Sequence, residues 1–384
     1  MSRILFTEPA AATAPDAPPT EPRRLHAATP GYAPTPVVEL PALARRLEVG
    51  RVLVKLENER LGLPSFKILG ASWAVVEALR PLLPPDWEPS DGLQALAGEL
   101  PQRTLVCATD GNHGRALALL ARTLGLPARI YVPANLSETR LAAIAAEGAQ
   151  IVEADGSYDE AVDRSARELR AGHDVLVSDT SWPGYEAVPA AVVDGYATIL
   201  WELDEQLRAL GAADPDLVFA QLGVGSFASA VVRHFRSVPA RTPRIVGVEP
   251  EDAACVMASL AAGQIVSVPG PHDSVMAGLN CGTPSLIAWP ILRDGLDAAM
   301  TVADGPVLDD VGFLAEHGLE LGECSAAAVT AAADLLAGPF AEAHRSRLAI
   351  AEDATVLLFA TEGVTDRDSF ARALDRRHGV GAAT

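Results

Sequence analysis

The sequence predicts an α/β fold with open, mostly parallel sheets flanked by helices, and two observations support this prediction. Short apolar runs alternate with helix-like amphipathic segments over most of the 384-residue chain. The run at residues 104–108 is apolar throughout rather than alternating, as expected for a strand buried on both faces of a parallel sheet. The length of the chain predicts two domains, because so long a chain rarely folds around a single hydrophobic core.

The elements follow in order along the chain. The predicted strands are residues 52–54, 104–108, 129–132, 150–153, 174–177, 217–220, 244–248 and 355–359. The predicted helices are residues 67–82, 115–124, 138–147 and 158–171, and Gly125 and Gly148 end two of them. The segment at residues 84–101 is rich in turn formers and is expected to be an excursion from this pattern.

We expect three parts in the chain. Residues 1–22, rich in Ala, Pro and Thr, are predicted to form a loose N-terminal arm, since they contain neither a signal peptide nor a membrane span. Residues 23–85 and 190–384 are predicted to form a large domain. Residues 86–189 are predicted to form a small α/β domain.

The net charge of -20 argues against nucleic acid or an anionic membrane as a partner, because both would repel the chain. No charge-free apolar stretch reaches membrane length, so a cytoplasmic protein is expected. The four cysteines are too scattered for a disulfide framework or a zinc site, and no metal site is predicted. A single disulfide between Cys255 and Cys281 stays open.

Three loops directly follow predicted strands, and they begin near Asp110, Gly223 and Thr361. In open α/β sheets, ligands bind beyond the carboxyl ends of the strands, where these loops lie. The glycines of Gly223-Val224-Gly225-Ser226 allow backbone N–H groups to converge on a phosphate, and the following helix adds its dipole. A dinucleotide is disfavoured, because Ala228 breaks the glycine pattern and no acidic residue closes a nearby strand.

Lys67 is the candidate for a reactive residue that accompanies this predicted phosphate site. A solvated surface charge is the ordinary interpretation of one lysine, but the two glycine-containing loops favour a Schiff-base lysine for an aldehyde cofactor. Such a lysine must be partly desolvated so that its neutral amine is accessible. Its position in the first turn of a helix disfavours the ammonium form as well.

The loop after residue 108 supplies the remaining candidates. Asn112 can hydrogen-bond a phenolic oxygen, and neighbouring backbone N–H groups can bind a substrate carboxylate. Asp110 is an acid/base candidate, although an Asp in a turn is more often a cap of the backbone. His113 is interpreted as structural rather than catalytic.

Four motifs together resemble the fold type II (tryptophan synthase β-like) pyridoxal 5′-phosphate enzymes. They are Ser65-Phe66-Lys67, Gly111-Asn112-His113-Gly114, the Gly223 loop and Thr361-Glu362-Gly363. The resemblance runs from about Pro30 to about Asp366. Within that superfamily, residues 108–115, 178–189 and 274–282 resemble the diaminopropionate ammonia-lyases, and residues 32–36 fit as well.

The resemblance implies catalytic roles for three residues. Lys67 would carry the cofactor and act as a base on one face of the substrate, and Asp110 would act on the opposite face. Asp179 would bind the distal amine or assist proton transfer.

The resemblance also implies two binding sets. The cofactor-binding residues would be Lys67, Phe66, Asn112, Gly223, Val224, Gly225, Ser226 and Thr361, whose hydroxyl would face the pyridine nitrogen. The substrate-binding residues would be Ser65, Thr109, Gly111, His113 and Asp179.

The expected reaction is β-elimination of ammonia from 2,3-diaminopropionate, or a close β-substituted amino acid, which gives pyruvate and ammonia. A homodimer is implied by the resemblance alone. Residues 55–58 and 65–71 look more like threonine/serine dehydratases, so a dehydratase or a β-replacement enzyme stays open. A third alternative is a protein that binds the cofactor without turning over a substrate.

Overall fold

In the computed structural model, which describes residues 2–9, 16–238 and 243–381, two separate sheets divide the chain into two α/β units. The strands are β1 (Ile4–Phe6), β2 (Val37–Glu39), β3 (Arg51–Leu56), β4 (Thr104–Ala108), β5 (Ala128–Val132), β6 (Gln150–Glu153), β7 (Asp174–Leu176), β8 (Leu217–Gln221), β9 (Arg244–Pro250), β10 (Ala298–Val302) and β11 (Thr355–Ala360). The helices are α1 (Glu21–Ala27), α2 (Pro41–Leu47), α3 (Lys67–Leu79), α4 (Asn112–Leu124), α5 (Glu138–Ala146), α6 (Tyr158–Arg167), α7 (Ala187–Ala209), α8 (Ser226–Arg236), α9 (Cys255–Ala262), α10 (Ala288–Gly295), α11 (Asp304–Glu316), α12 (Glu323–Ala337), α13 (Ala341–Leu348) and α14 (Arg367–Gly381).

The larger sheet has seven strands in the order β1-β10-β9-β8-β11-β3-β2, and only its two outer pairs are antiparallel. Its centre is parallel, and β11 lies between β3 and β8, where Leu357 pairs with both Leu53 and Val218. Every residue of β8 is buried, which explains the continuous apolar run at residues 217–220. The predicted α/β class with mostly parallel sheets is therefore confirmed.

The smaller sheet has four parallel strands in the order β6-β5-β4-β7. It falls inside the segment predicted to form the small domain, whose boundaries stay a prediction. We call β4 to β7, with their connecting segments and the loop that runs from β7 to the start of α7, the small unit, and the rest of the described chain the large unit. Among the described residues no single helix is long and apolar enough to cross a membrane, although the pair α12 and α13, bent by 97°, passes on length and composition alone.

The N-terminal arm differs from the expectation. Residues 4–6 form β1, which pairs antiparallel with β10, so a loose arm is wrong for this stretch. The arm is rich in Ala and Pro overall, but three of its residues in a row are apolar. As β1 they pair with β10, which would otherwise be an open edge of the sheet. Residues 1 and 10–15 of the arm lie outside the described part of the chain.

Helix α3 packs closely against α7, and two glycines permit the approach. A Cβ on Gly70 would lie 2.4 Å from the ring of Tyr196, and one on Gly195 would lie 2.4 Å from the Leu69 carbonyl oxygen. Any larger side chain would therefore push the helices apart. Because Lys67 is the first residue of α3, this packing fixes the position of the Lys67 backbone.

A fully buried ion network lies below the loop that leads to Lys67. Arg60 donates to Glu57 at 2.6 Å and to Glu202 at 2.7 Å, and Lys55 donates to the other Glu202 oxygen at 2.7 Å. All four side chains are at most 1% exposed. The network joins the end of β3, the following loop and α7, so buried charges are compensated only while these three segments stay together.

The network makes a stability prediction. Glu202→Gln removes the carboxylate shared by Lys55 and Arg60, and we expect the free energy of unfolding to fall by about 3–5 kcal/mol. Glu205→Gln on the same helix breaks an ion pair with an exposed arginine and should cost no more than about 1 kcal/mol. Chemical denaturation at neutral pH compares the two variants, and equal losses would contradict the role of the network.

Candidate active site

The carboxyl ends of β4, β8 and β11 face one cavity between the two units. The predicted site residues that line it are Phe66, Lys67, Asp110, Asn112, Asp179, Gly223, Val224, Ser226 and Thr361. The predicted residues absent from its wall are Ser65, Thr109, Gly111, His113 and Gly225. The structure thus brings all three predicted catalytic side chains together, and most of the predicted substrate set lies one layer behind.

Lys67 extends from the first turn of α3, and its side chain is 16% exposed. The ring of Phe66, one residue earlier, packs 4.7 Å from the ring centres of both Tyr196 and Phe227 and so anchors the helix start. The chain contains two lysines, and the other, Lys55, is bound in the buried ion network. Lys67 is therefore the lysine side chain available to an aldehyde.

The protonation state of Lys67 differs from the sequence expectation of a depressed pKa. Burial disfavours the ammonium, but Tyr196 and the carboxylate of Asp179 outweigh it and hold the pKa of Lys67 well above its usual value. Lys67 Nζ donates to Asp179 Oδ2 at 3.1 Å. The amine of Lys67 is therefore an ammonium group at neutral pH.

Asp179 lies just after β7 and is fixed from two sides. Its Oδ1 accepts a hydrogen bond from the hydroxyl of Tyr158 at 2.8 Å, while Oδ2 accepts from Lys67. Burial opposes ionisation, but the Lys67 charge outweighs it, and the pKa of Asp179 falls to about 2. Asp179 is therefore a permanent anion across the neutral range.

The pKa of Asp110 is shifted in the opposite direction from that of Asp179. Burial and the nearby Asp179 charge exceed the attraction of Lys67 and raise the pKa of Asp110 to about 6. The same cavity thus holds one carboxyl group that stays ionised and one that exchanges its proton near neutral pH. Two titratable groups whose pKa values are pushed apart are typical of an acid/base site.

The loop that carries Asp110 is held by Thr109, whose hydroxyl oxygen accepts from the N–H groups of Gly111 and Gly114, each at 2.9 Å. Gly111 has φ +142°, a conformation that few other residues adopt. His113 Nε2 donates to the Val177 carbonyl at 2.8 Å, and burial lowers its pKa, so the ring is neutral. In this structure Thr109 and His113 shape the loop from behind.

The loop from Gly223 to Ser226 turns back through two left-handed glycines, with φ +56° at Gly223 and +97° at Gly225. The N–H of Gly225 donates to the Leu222 carbonyl, so this glycine shapes the turn, and the N–H groups of its neighbours are better placed for an anion. The hydroxyl of Ser226 donates to the Asp179 carbonyl at 2.7 Å. This bond fastens the start of α8 to the segment that carries the permanent anion.

Two buried polar atoms near the cavity lack partners among the described residues: Thr361 Oγ1 and Gln221 Oε1. The amide nitrogen of Gln221 already donates to the carbonyl oxygens of Cys324 and Phe359. Since buried polar groups rarely remain unpaired, a ligand with polar groups of its own is expected here. These atoms, the glycine turn at a helix start and the single available lysine fit an aldehyde cofactor that carries a phosphate and a ring nitrogen.

Sequence reasoning missed several lining residues. Tyr158 and Gln221 line the cavity, yet neither belongs to a motif that marks such a role. Tyr158 is the first residue of α6. Ser157 and Glu160 form a capping box at this helix start, and the box was the sequence signal available for the position of Tyr158. Cys281 also lines the cavity, and its thiol is free, as are those of the other three cysteines, so the disulfide left open is absent here.

Comparison with known proteins agrees with this geometry. A family model described as pyridoxal-phosphate dependent enzyme matches residues 28–361. The diaminopropionate ammonia-lyase of Salmonella typhimurium is 34% identical over 366 residues, which cover 90% of this chain and 89% of the relative.

Solved structures extend the similarity to the fold. The diaminopropionate ammonia-lyase of Escherichia coli, in complex with D-serine, superposes with a TM-score of 0.89 at 30% identity and covers 99% of this chain and 98% of its own. The same enzyme, in complex with an aminoacrylate-PLP azomethine reaction intermediate, gives a TM-score of 0.88 at 29% identity, with 98% of each chain covered. The fold type II architecture expected from the sequence is confirmed.

Proposed function

The chain belongs to the pyridoxal-phosphate dependent enzymes, and from this premise we propose that it releases ammonia from 2,3-diaminopropionate by β-elimination, after which water hydrolyses the enamine product to pyruvate and a second ammonia. The observation that carries the proposal is the arrangement of Lys67 with two carboxylates of opposite pKa in one cavity. A β-elimination needs a base for the α-proton and a group that assists departure of the β-substituent. Asp110 and the pair of Lys67 and Asp179 supply these two functions.

We assign one residue or loop to each polar part of pyridoxal 5′-phosphate. Lys67 would bind its aldehyde carbon, the N–H groups around Gly223 and Ser226 its phosphate, and the unpaired Thr361 hydroxyl its ring nitrogen. Asn112 would reach its phenolic oxygen. When bound, this cofactor supplies an electron sink that makes the α-proton of an attached amino acid removable by a protein base.

Asp110 serves as a base on one face of the substrate and Lys67 on the other. With a pKa of about 6, Asp110 is largely ionised at neutral pH and returns its proton readily. Lys67 would act on its face once its amine is neutral. Bases on opposite faces would allow both enantiomers to be deprotonated.

Asp179 would recognise the second amine of the substrate. A permanent anion, held by Tyr158, pairs well with an ammonium group and has no proton to give to a hydroxyl leaving group. An ammonium group departs directly as neutral ammonia with all three of its protons, whereas a hydroxyl group needs an acid. This contrast favours a diamino acid over serine or threonine, and the dehydratase alternative is disfavoured for the same reason.

We propose further that the enzyme acts in the cytoplasm as a homodimer. Four cysteines that stay free, two of them in the cavity wall, suit a reducing compartment. The dimer rests on the resemblance to the family. Sedimentation velocity of the purified protein should give twice the mass of one chain, and a monomer at micromolar concentration would contradict this part of the proposal.

Lys67→Ala tests the reaction and its cofactor together. We expect ammonia release from 2,3-diaminopropionate to fall by at least about 10³-fold, because the variant loses both the cofactor attachment and one base. Borohydride reduction of the loaded wild-type protein should label Lys67, and the only other lysine, Lys55, provides the internal control in peptide mapping.

The same assay compares substrates. A preference for serine or threonine over 2,3-diaminopropionate by orders of magnitude would establish the dehydratase alternative. An absence of turnover with every β-substituted amino acid would establish a protein that binds the cofactor without catalysis.

Asp110→Asn tests the assignment of opposite faces. An amide cannot accept the α-proton, so activity should fall about 10²-fold or more on one enantiomer and much less on the other. In the wild type, kcat/KM for the affected enantiomer should rise with pH through about 6, where Asp110 loses its proton. Equal losses on both enantiomers, or an unchanged pH profile in the variant, would refute the assignment.

A further inference from the structure

Glu362 is a buried carboxylate beside the cavity for which the proposed reaction has no use. It directly follows Thr361 at the end of β11, and 2% of it is exposed. Its main chain is fastened twice to Ser325, whose hydroxyl accepts from the Glu362 N–H at 2.9 Å and donates to the Glu362 carbonyl at 2.7 Å. The backbone is therefore rigid, and the side chain starts from a fixed point.

The carboxylate of Glu362 is held as firmly as its backbone. Oε1 accepts the N–H of Cys324 at 3.2 Å, in the first turn of α12, where the helix dipole favours an anion. A Cβ on Gly322 would lie 3.0 Å from Oε1, so the glycine leaves room for this position. One carboxylate oxygen is thus occupied within the large unit, and the other is directed across the cavity.

That second oxygen, Oε2, accepts a hydrogen bond from Asn112 Nδ2 at 2.7 Å. Asn112 opens α4 in the small unit, so the bond joins the two units at the edge of the cavity. An ionised carboxylate only accepts hydrogen bonds, so its partner must be the nitrogen of the amide and not the oxygen. Glu362 therefore decides which way the Asn112 amide faces.

We propose that Glu362 is a positioning residue that fixes the Asn112 amide so that its remaining N–H is presented to the phenolic oxygen of the cofactor. The inference rests on the proposed function for the role of Asn112, and Glu362 acts only through that residue. Without Glu362 the amide could turn its oxygen toward the phenolic oxygen, and two acceptors would then face each other.

Cofactor affinity of the full-length protein tests the inference, measured by equilibrium dialysis with pyridoxal 5′-phosphate. Glu362→Ala should weaken binding about tenfold, the effect of one lost hydrogen bond to a charged group. Glu362→Gln keeps an acceptor and should restore binding to within about threefold of wild type. Glu323→Gln, the control, removes a buried carboxylate one residue from Cys324 and should leave binding unchanged, since no bond joins it to Asn112 among the described residues.

A double variant separates action through Asn112 from a general structural effect. Once Asn112→Ala is present, adding Glu362→Ala should change the affinity by less than about twofold, because the pair forms one interaction. Full additivity of the two losses would overturn the inference, as would wild-type affinity in Glu362→Ala. The melting temperature of each variant shows whether it folds. If Glu362→Ala does not fold, the affinity of Glu362→Gln is compared with and without Asn112→Ala instead.

The visible absorbance of the bound cofactor gives a second readout. Loss of the Asn112 donor disfavours the ionised phenolic oxygen, so Asn112→Ala and Glu362→Ala should move the pH midpoint of the spectrum upward together. A carboxylate that acted through its charge alone would move the midpoint downward when removed, and would still do so without Asn112. A wild-type protein that takes up no cofactor would refute the proposed function itself, whereas normal uptake with an unaffected Glu362→Ala would refute the inference only.

Discussion

The ion pair between Lys67 and Asp179 is the interaction on which the site depends, because it joins the two units at the reacting groups. Lys67 begins a helix of the large unit, and Asp179 follows the last strand of the small unit. Each is anchored independently, Lys67 by the glycine-mediated packing of its helix and Asp179 by the Tyr158 hydroxyl. The pair can therefore form only when both units are correctly placed.

Other bonds between the units lie at the same cavity. Ser226 in the large unit donates to the Asp179 carbonyl, and Glu362 in the large unit accepts from Asn112 in the small unit. Each of these bonds involves a residue that lines the cavity. A movement that separated the two units would disturb the lysine, the glycine turn and the Asn112 amide together.

The sequence was sufficient for the parts of this site that depend on local pattern. Lys67, Asp110 and Gly223 each stand next to a strand or helix end, and alternation of apolar runs locates those ends. The capping box at Ser157 marks Tyr158 as the start of a helix but not as a cavity residue, because Tyr158 reaches the cavity only through the register of the smaller sheet and the start of α6. The raised pKa of Lys67 was also beyond reach, since it results from three groups that are distant in the chain.

The two carboxylates show why the tertiary contacts decide function here. Both lie near the same lysine, yet Asp179 receives direct hydrogen bonds from Lys67 and Tyr158, while no hydrogen bond to the Asp110 carboxylate is found among the described residues. Burial raises the pKa of both groups, and only the bonded one is compensated. One lysine thereby creates a fixed anion suited to an ammonium group and a second carboxyl group suited to moving a proton. The pKa values of the two carboxyl groups differ because Lys67 hydrogen-bonds to Asp179 and not to Asp110. The anchored positions of Lys67 and Asp179 determine this choice of partner.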